Sequence, residues 1–182
     1  MKINWFDIVT QGLGFLGILA SIISFQCKQH SKIMLFRTLN EFLFGLQYFL
    51  LGAYTGMAMN LIGCVRNQLF SYEVKRKKST LVTQIFFSAL FLVGGIITWA
   101  GYKSILIITA KILSTIAYSL KNTKVLRLII LFTSTSWLIY NATVHSLAGV
   151  ACEMFTIGSL LLSLLRFYVL PHFKKQKETQ KV

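Results

Sequence analysis

Seven long apolar segments take up almost the whole chain, and that layout limits the fold more than any single motif does. They run from Ile8 to Phe25, Ile33 to Ala53, Gly56 to Tyr72, Leu81 to Trp99, Ser104 to Leu120, Leu126 to Val144 and Leu147 to Leu170. Each is close to the roughly 20 residues a helix needs to cross the hydrocarbon core of a bilayer. With 55% hydrophobic and 13% charged residues, and a mean hydropathy of +0.65, the composition lies outside the range of a soluble domain. An integral membrane protein is expected. The short loops leave no room for a soluble domain, so any activity belongs inside the bundle.

In lipid every backbone N–H and C=O must be satisfied within the structure, which leaves helices or a closed barrel. A barrel shows roughly ten-residue stretches of apolar and polar alternation, whereas Leu128 to Phe132 is apolar throughout. The fold class expected is therefore all-α, even where β-branched runs such as Ile105 to Ile108 occur.

The segments follow one pattern twice: apolar segment, basic loop, apolar segment, tight uncharged turn, apolar segment. At an ungapped shift of 93 residues Ser21 falls on Ser114, Ile23 on Ile116, Lys28 on Lys121, Gly56 on Gly149 and Ala58 on Ala151. The polar Asn60 lands on the acidic Glu153. Two parallel three-helix units joined by a linker helix are expected. Residues 1–78 form the first unit and its basic linker, 79–103 the linker helix, 104–170 the second unit and 171–182 a basic tail. Duplicated membrane units commonly place a functional site between the copies.

The net charge of +14 suggests nucleic acid, but the basic residues sit between and after the spans instead of on one soluble face. One side collects Lys28, Lys32, Arg37, Arg66, Lys75 to Lys78, Lys121, Lys124, Arg127, Arg166, Lys174, Lys175, Lys177 and Lys181, leaving Lys2 and Lys103 on the other. By the positive-inside rule this predicts an outer N-terminus and a cytoplasmic C-terminus. The same face suits anionic lipid. A signal peptide ending near Leu19-Ala20-Ser21 is the lesser alternative, because its removal breaks the paired layout. Cys27, Cys64 and Cys152 show no CxxC or metal-ligand spacing and read as small packing residues.

Gly12, Gly14 and Gly17 in the first segment predict close helix approach, and Gly52 to Gly56 a tight antiparallel turn. Trp5, Trp99 and Tyr102 stand where interfacial aromatic residues are expected. Trp137 lies mid-segment, and both core packing and a stacking surface for a ligand fit it.

Five charges sit within the apolar segments: Arg37, Glu41, Arg66, Lys111 and Glu153. Each costs about 2.5–3.5 kcal/mol at the helix centre on insertion scales and needs a partner or an aqueous cavity. Glu41 and Arg66 lie about eight and six residues from the inner ends of their segments, so at roughly 1.5 Å per residue they are level. They are predicted to pair, with Arg37 competing for the same carboxylate. By the same depth rule Lys111 is predicted to meet Glu153, giving one ion pair per unit. Static clamps account for both pairs; so does a central cavity in which Glu153 and Asn60 contact a polar solute or a proton.

His30, His145 and His172 are scattered, and neither HExxH nor a phosphate-cradling glycine loop is present. No metal, no cofactor and no catalytic residue is expected, and the chain is read as a non-enzyme.

At Gln11-Gly12-x-Gly14, Leu50-Leu51-Gly52-x-Tyr54, Trp137-x-x-x-Asn141, Gly149-x-x-x-Glu153 and Leu165-Arg166-Phe167 the chain resembles the YgjV-like family of bacterial inner-membrane proteins over nearly its full length. That resemblance implies a bacterial inner-membrane location and supplies no substrate. More distantly, the three-one-three layout is similar to the SWEET and PQ-loop transporters, which move sugars or amino acids through a cavity between two parallel repeats. Asn60-x-x-Gly63 resembles their substrate-facing asparagine motif, with Glu153 in its place in the second unit. The hinge prolines of those transporters are missing here, Pro171 being the single proline.

The expected function is small-solute transport by alternating access. The expected site has Asn60, Glu153, Trp137 and Asn141 lining a midplane cavity, with Lys111, Glu41, Arg66 and Arg37 setting its charge. The alternative is a non-transporting scaffold, accessory subunit or lipid-binding protein. Expected partners are the bilayer, anionic lipid at its cytoplasmic face and a small polar solute, without nucleic acid; homo-oligomerisation is left open.

Overall fold

The computed structural model describes residues 4–26, 30–117 and 123–165. These residues form seven helices and no strand: α1 (Trp5–Gln26), α2 (His30–Leu50), α3 (Tyr54–Lys75), α4 (Leu81–Ile97), α5 (Tyr102–Ala117), α6 (Thr123–Thr143) and α7 (Leu147–Leu164). One helix stands at each predicted segment. Lys2, Cys27, Lys28, Lys121, Arg166, Pro171, His172 and the basic tail lie outside the described residues.

Among the described residues, α1 is long and apolar enough to cross a membrane, over Trp5–Ser24. Shorter apolar runs fill Leu81–Ile97 in α4 and Leu147–Leu162 in α7. Of the seven expected spans, one meets both measures among the described residues, and burial supplies the reason. Buried polar and charged side chains outnumber buried hydrophobic ones, while Val82, Ile85, Ile97, Leu147 and Leu162 are among the many large apolar side chains facing outward. The other helices give residues to a polar interior, which lowers their mean hydropathy without making their outer faces polar.

Each helix packs against its neighbours in the chain, and contacts of α1 with α7 and of α3 with α5 close the bundle. Gly14 of α1 faces Ala148 of α7 and Gln47 of α2, so closely that a Cβ there would stand 2.5 Å from Ala148 Cβ and 2.6 Å from Gln47 Nε2. Gly17 meets Phe44 in the same way, at 2.9 Å. Gly12, expected to share this role, has nothing within 4 Å.

The turn between α2 and α3 reverses the chain at Gly52, whose φ of +68° favours glycine. The hairpin predicted there is thus made by one residue of left-handed backbone. Helix α3 runs on to Lys75, past the Tyr72 end of the predicted segment, and its Glu73 accepts a hydrogen bond from Thr83 of α4.

Helix α4 fits between α3 and α5 through two successive glycines. A Cβ on Gly94 would stand 2.8 Å from Ile62 of α3, and one on Gly95 would overlap the side chain of Ile108 of α5. Phe87, Phe91, Met59 and Ile107 fill the space around this crossing. Gly95→Leu is therefore expected to overpack the α4–α5 contact and cost about 1–3 kcal/mol, measured as a lower unfolding temperature of the purified protein in detergent.

Candidate functional site

The charged residues of the helix interiors meet at mid-bundle. Glu41 of α2 accepts from Arg66 Nη2 of α3 at 3.0 Å and, through the same Oε1, from Lys111 Nζ of α5 at 3.1 Å. Arg66 also donates Nη1 to Thr115 at 2.9 Å, and Nε and Nη2 to Asn67 Oδ1 at 3.2 and 2.9 Å. Phe91 lies against the guanidinium, 5.6 Å from ring centre to Cζ. These contacts offset the cost of burying the guanidinium away from water.

Gly63 of α3 makes room for the carboxylate. A Cβ there would overlap Glu41 Oε2 and stand 3.0 Å from Lys111 Nζ. Oε2 itself is buried and makes no hydrogen bond. Glycine at this position thus permits the closest approach in the charged cluster.

The predicted Glu41–Arg66 pair is present. The predicted Lys111–Glu153 pair is not, because Lys111 turns to Glu41 and no ion pair joins it to Glu153. The depth rule set the two pairs at different heights, whereas Lys111 reaches the height of Glu41. Helix α5 packs against α3, α4 and α6, and Lys111 follows the α3 side.

Glu153 of α7 instead shares the cavity wall with Ser134 of α6. Arg37 lies in the same space as both acids. Asn60 donates Nδ2 to Gly56 O of its own helix at 2.9 Å. Asn141 accepts a 2.5 Å hydrogen bond from Tyr48. Trp137 stacks on Tyr48 with ring centres 5.9 Å apart and carries Lys111 Nζ 5.4 Å from its own ring centre.

All eight residues singled out in the sequence, Arg37, Glu41, Asn60, Arg66, Lys111, Trp137, Asn141 and Glu153, line one cavity of about 130 Å³. By that measure one water needs roughly 10–15 Å³, so there is space for several waters or one small solute. Six helices line the cavity; α4 contributes no residue to it.

The lining falls on itself at the shift of 93 residues. Ser21 maps to Ser114, Arg37 to Ile130, Asn40 to Thr133, Glu41 to Ser134, Phe44 to Trp137, Tyr48 to Asn141 and Asn60 to Glu153, and both members of every pair line the cavity. Tyr48 and Asn141, matched positions, touch each other. Gly56 faces Tyr48 and Gly149 faces Asn141, each across eight residues of chain. The matched positions differ in chemistry: α2 offers Arg37 and Glu41 where α6 offers Ile130 and Ser134.

The end of the cavity near Leu50 and Tyr54 is closed by a polar network. Gln47 donates to Gln11 Oε1 at 3.1 Å and accepts from Ser146 Oγ at 3.0 Å, and Ser146 caps α7 by accepting from Gly149 N at 3.1 Å. Gln11 donates to His145 O at 3.1 Å, and Tyr140 accepts from Gly56 N at 2.9 Å. Gln47, Tyr48, Asn141, Ser146 and Ala148 are at most 2% exposed. Towards the other end, Ser21, Arg37, Ile130 and Thr156 are only partly buried.

Sequence reasoning missed Tyr48, Gln47, Ser134 and Gly63. The 93-residue shift carried a signal for two of them, since it sets Tyr48 on Asn141 and Ser134 on Glu41. Gln47 was a polar residue in an otherwise apolar stretch, a weaker signal. Among the described residues no group of three or more His, Cys, Asp or Glu could hold a metal ion.

Among family models, Imp-YgjV, described as a bacterial inner membrane protein, matches residues 8–170 of the chain. No curated protein matches it, and no solved structure does.

Proposed function

The chain belongs to the Imp-YgjV family of bacterial inner membrane proteins, and on that premise we propose that it is a multi-pass carrier of small polar solutes working by alternating access. The observation that carries this reading is the polar cavity reaching both Asn60 and Glu153, walled by helices from both halves of the chain. A pure scaffold would gain nothing from such a space, since each buried polar group left facing it costs stability.

The reading includes a duplicated fold, with α1–α3 and α5–α7 as parallel units and α4 as the linker. Self-matching of the cavity lining at one shift supports it, as does the contact of Tyr48 with Asn141, because matched residues touch where a pseudo-twofold axis passes. With the N-terminus outside and the C-terminus inside, the Gln47–Ser146 network and the Tyr48–Asn141 bond form the outer closure. The partly exposed Arg37 and Ser21 then mark the cytoplasmic mouth. Alternating access would open the first and shut the second. The exposed Lys75 to Lys78 run suits anionic lipid at the same face. No catalytic step is assigned to the protein.

A second reading, a non-transporting membrane scaffold, is favoured by the Glu41–Arg66–Lys111 cluster, which suffices as a clamp between α2, α3 and α5. Solute flux into vesicles carrying the purified protein separates the two. Glu153→Gln and Lys111→Ala are each expected to reduce flux by about tenfold or more, the loss of one charge-assisted contact. No flux above protein-free vesicles in the parent would leave the scaffold; equal flux in both variants and the parent would leave Glu153 and Lys111 no part in transport.

A further inference from the structure

We infer that the solute is a small anion with a single negative charge, held at Lys111 and drawn in past Arg37. This rests on the carrier reading above and names the charge class that the same cavity takes.

The described residues lining the cavity include three cations, Arg37, Arg66 and Lys111, and two acids, Glu41 and Glu153. Their formal charges leave an excess of one positive charge. A cleft with low-dielectric walls focuses such an excess on the space it encloses and concentrates ions of the opposite sign there. The three cations are not equivalent. Arg66 is 1% exposed and is taken up by Glu41, Asn67 and Thr115. Lys111 carries three N–H donors. Glu41 Oε1 lies 3.1 Å from its Nζ, and the Trp137 ring, 5.4 Å away at its centre, covers a second side of the ammonium. That leaves the third donor for the cavity that Lys111 lines. Arg37 stands at the partly buried end, where an entering solute meets it before the buried Lys111.

Other charge classes match this wall less well. A neutral or zwitterionic solute leaves the excess as it is. A cation raises it to two, and a dianion reverses its sign. A single negative charge brings the count to zero, and such complementarity is what selects one partner over another in a desolvated site. The cavity of about 130 Å³ limits the anion to a few heavy atoms, and the rings of Phe44, Tyr48 and Trp137 suit a short apolar tail on it.

Propionate, propionamide, propylamine, malonate and alanine test the class, because they are similar in size and carry one negative charge, none, one positive charge, two negative charges and a balanced pair. Binding of each is measured by calorimetry on the purified full chain. Methanesulfonate, a monoanion that stays ionised and does not leak through lipid as its acid, is added to the binding series and serves as the radiolabelled probe for uptake into vesicles carrying the protein. Propionate and methanesulfonate are expected to bind at least about tenfold more tightly than the other four, the difference made by one charge-assisted contact. Lys111→Gln and Arg37→Gln should each weaken the two monoanions by about tenfold or more and leave propionamide unchanged. Glu153→Gln raises the positive excess to two, so it should tighten both monoanions, the slower release then adding to the loss of flux expected above. If propionamide, propylamine, malonate or alanine equals or exceeds propionate, or if none of the series binds, the monoanion assignment is overturned and the carrier reading is left to the flux measurement. If the monoanions bind as expected and methanesulfonate does not enter above the level of protein-free vesicles, the carrier reading falls and the anion site stands. If Glu153→Gln leaves monoanion binding unchanged or weaker, the charge of the wall does not set affinity and the assignment is wrong. The comparison of charge classes uses only the parent protein, so a variant that fails to fold does not protect the proposal.

Discussion

Gly63→Ala is expected to dismantle the charged centre of the protein, although it adds a single methyl group. That methyl would occupy the position of Glu41 Oε2 and crowd Lys111 Nζ. Helix backbone at Gly63 cannot retreat, because the same stretch of α3 carries Arg66 to the cluster. Glu41 must therefore swing away, leaving Arg66 and Lys111 buried as two cations without their shared acid. Breaking a buried pair by removing one partner costs about 3–5 kcal/mol, and a loss of that order is expected in the unfolding of the purified protein.

A matched control separates this effect from the change of residue type. Gly45 lies in the interior of α2, and a Cβ there would meet Leu61 and Asn60 at ordinary contact distances of 3.5 and 3.7 Å. Glycine in a helix interior costs roughly 0.5–1 kcal/mol relative to alanine, so Gly45→Ala should be neutral or slightly stabilising. Equal behaviour of the two variants would remove Gly63 from any role in seating the carboxylate.

The second large effect is expected at Glu41 itself. Glu41→Gln keeps the shape of the side chain and removes the one negative charge that faces both Arg66 and Lys111. A destabilisation of about 3–5 kcal/mol is expected, again because cations are left buried and unpaired. Adding Lys111→Gln should recover part of that loss, since one of the two stranded charges is then gone and residues in direct contact are not additive. Glu153→Gln is the contrasting case. Among the described residues the ion pairs of the cluster are made by Glu41 and not by Glu153, so loss of the Glu153 charge should leave stability nearly unchanged while impairing solute handling. Unfolding curves of the four proteins under one detergent condition decide the matter. A large stability loss in Glu153→Gln, or none in Glu41→Gln, would contradict this division of labour between clamp and site.

The division also explains why the two carboxylates could not be told apart in the sequence. Each sits near mid-helix among apolar residues, and each has a basic residue at matching depth in another helix. Both line the cavity, but Glu41 shares one carboxylate oxygen between two cations. Pairing is decided by which helix faces are turned together, and a linear pattern does not contain that angle.

Much of the architecture was legible from the chain alone. Apolar length placed all seven helices, since lipid forces backbone hydrogen bonds to close within each segment. Gly52 marked the reversal between α2 and α3, and the rise of a helix set Glu41 level with Arg66. The shift of 93 residues set Asn60 on Glu153, and both line the cavity. The eight candidate residues were legible for a related reason: in a bilayer, polar groups within apolar runs have few places to go other than the interior.

Only the tertiary structure decided who faces whom. Lys111 was expected at Glu153 and stands at Glu41, because rise along a helix fixes depth while rotation about the bundle axis is fixed by packing. Gly63 became meaningful only when Glu41 was found pressed against it, and Gly12 lost its expected role because nothing packs there. The amide and hydroxyl network that closes one end joins Gln11, Gln47 and Ser146 over separations too long for any local pattern to carry. What the sequence determined by itself was seven helices with polar groups in their interior faces; what packing alone decided was the direction of each side chain, and with it that Lys111 meets Glu41 and not Glu153.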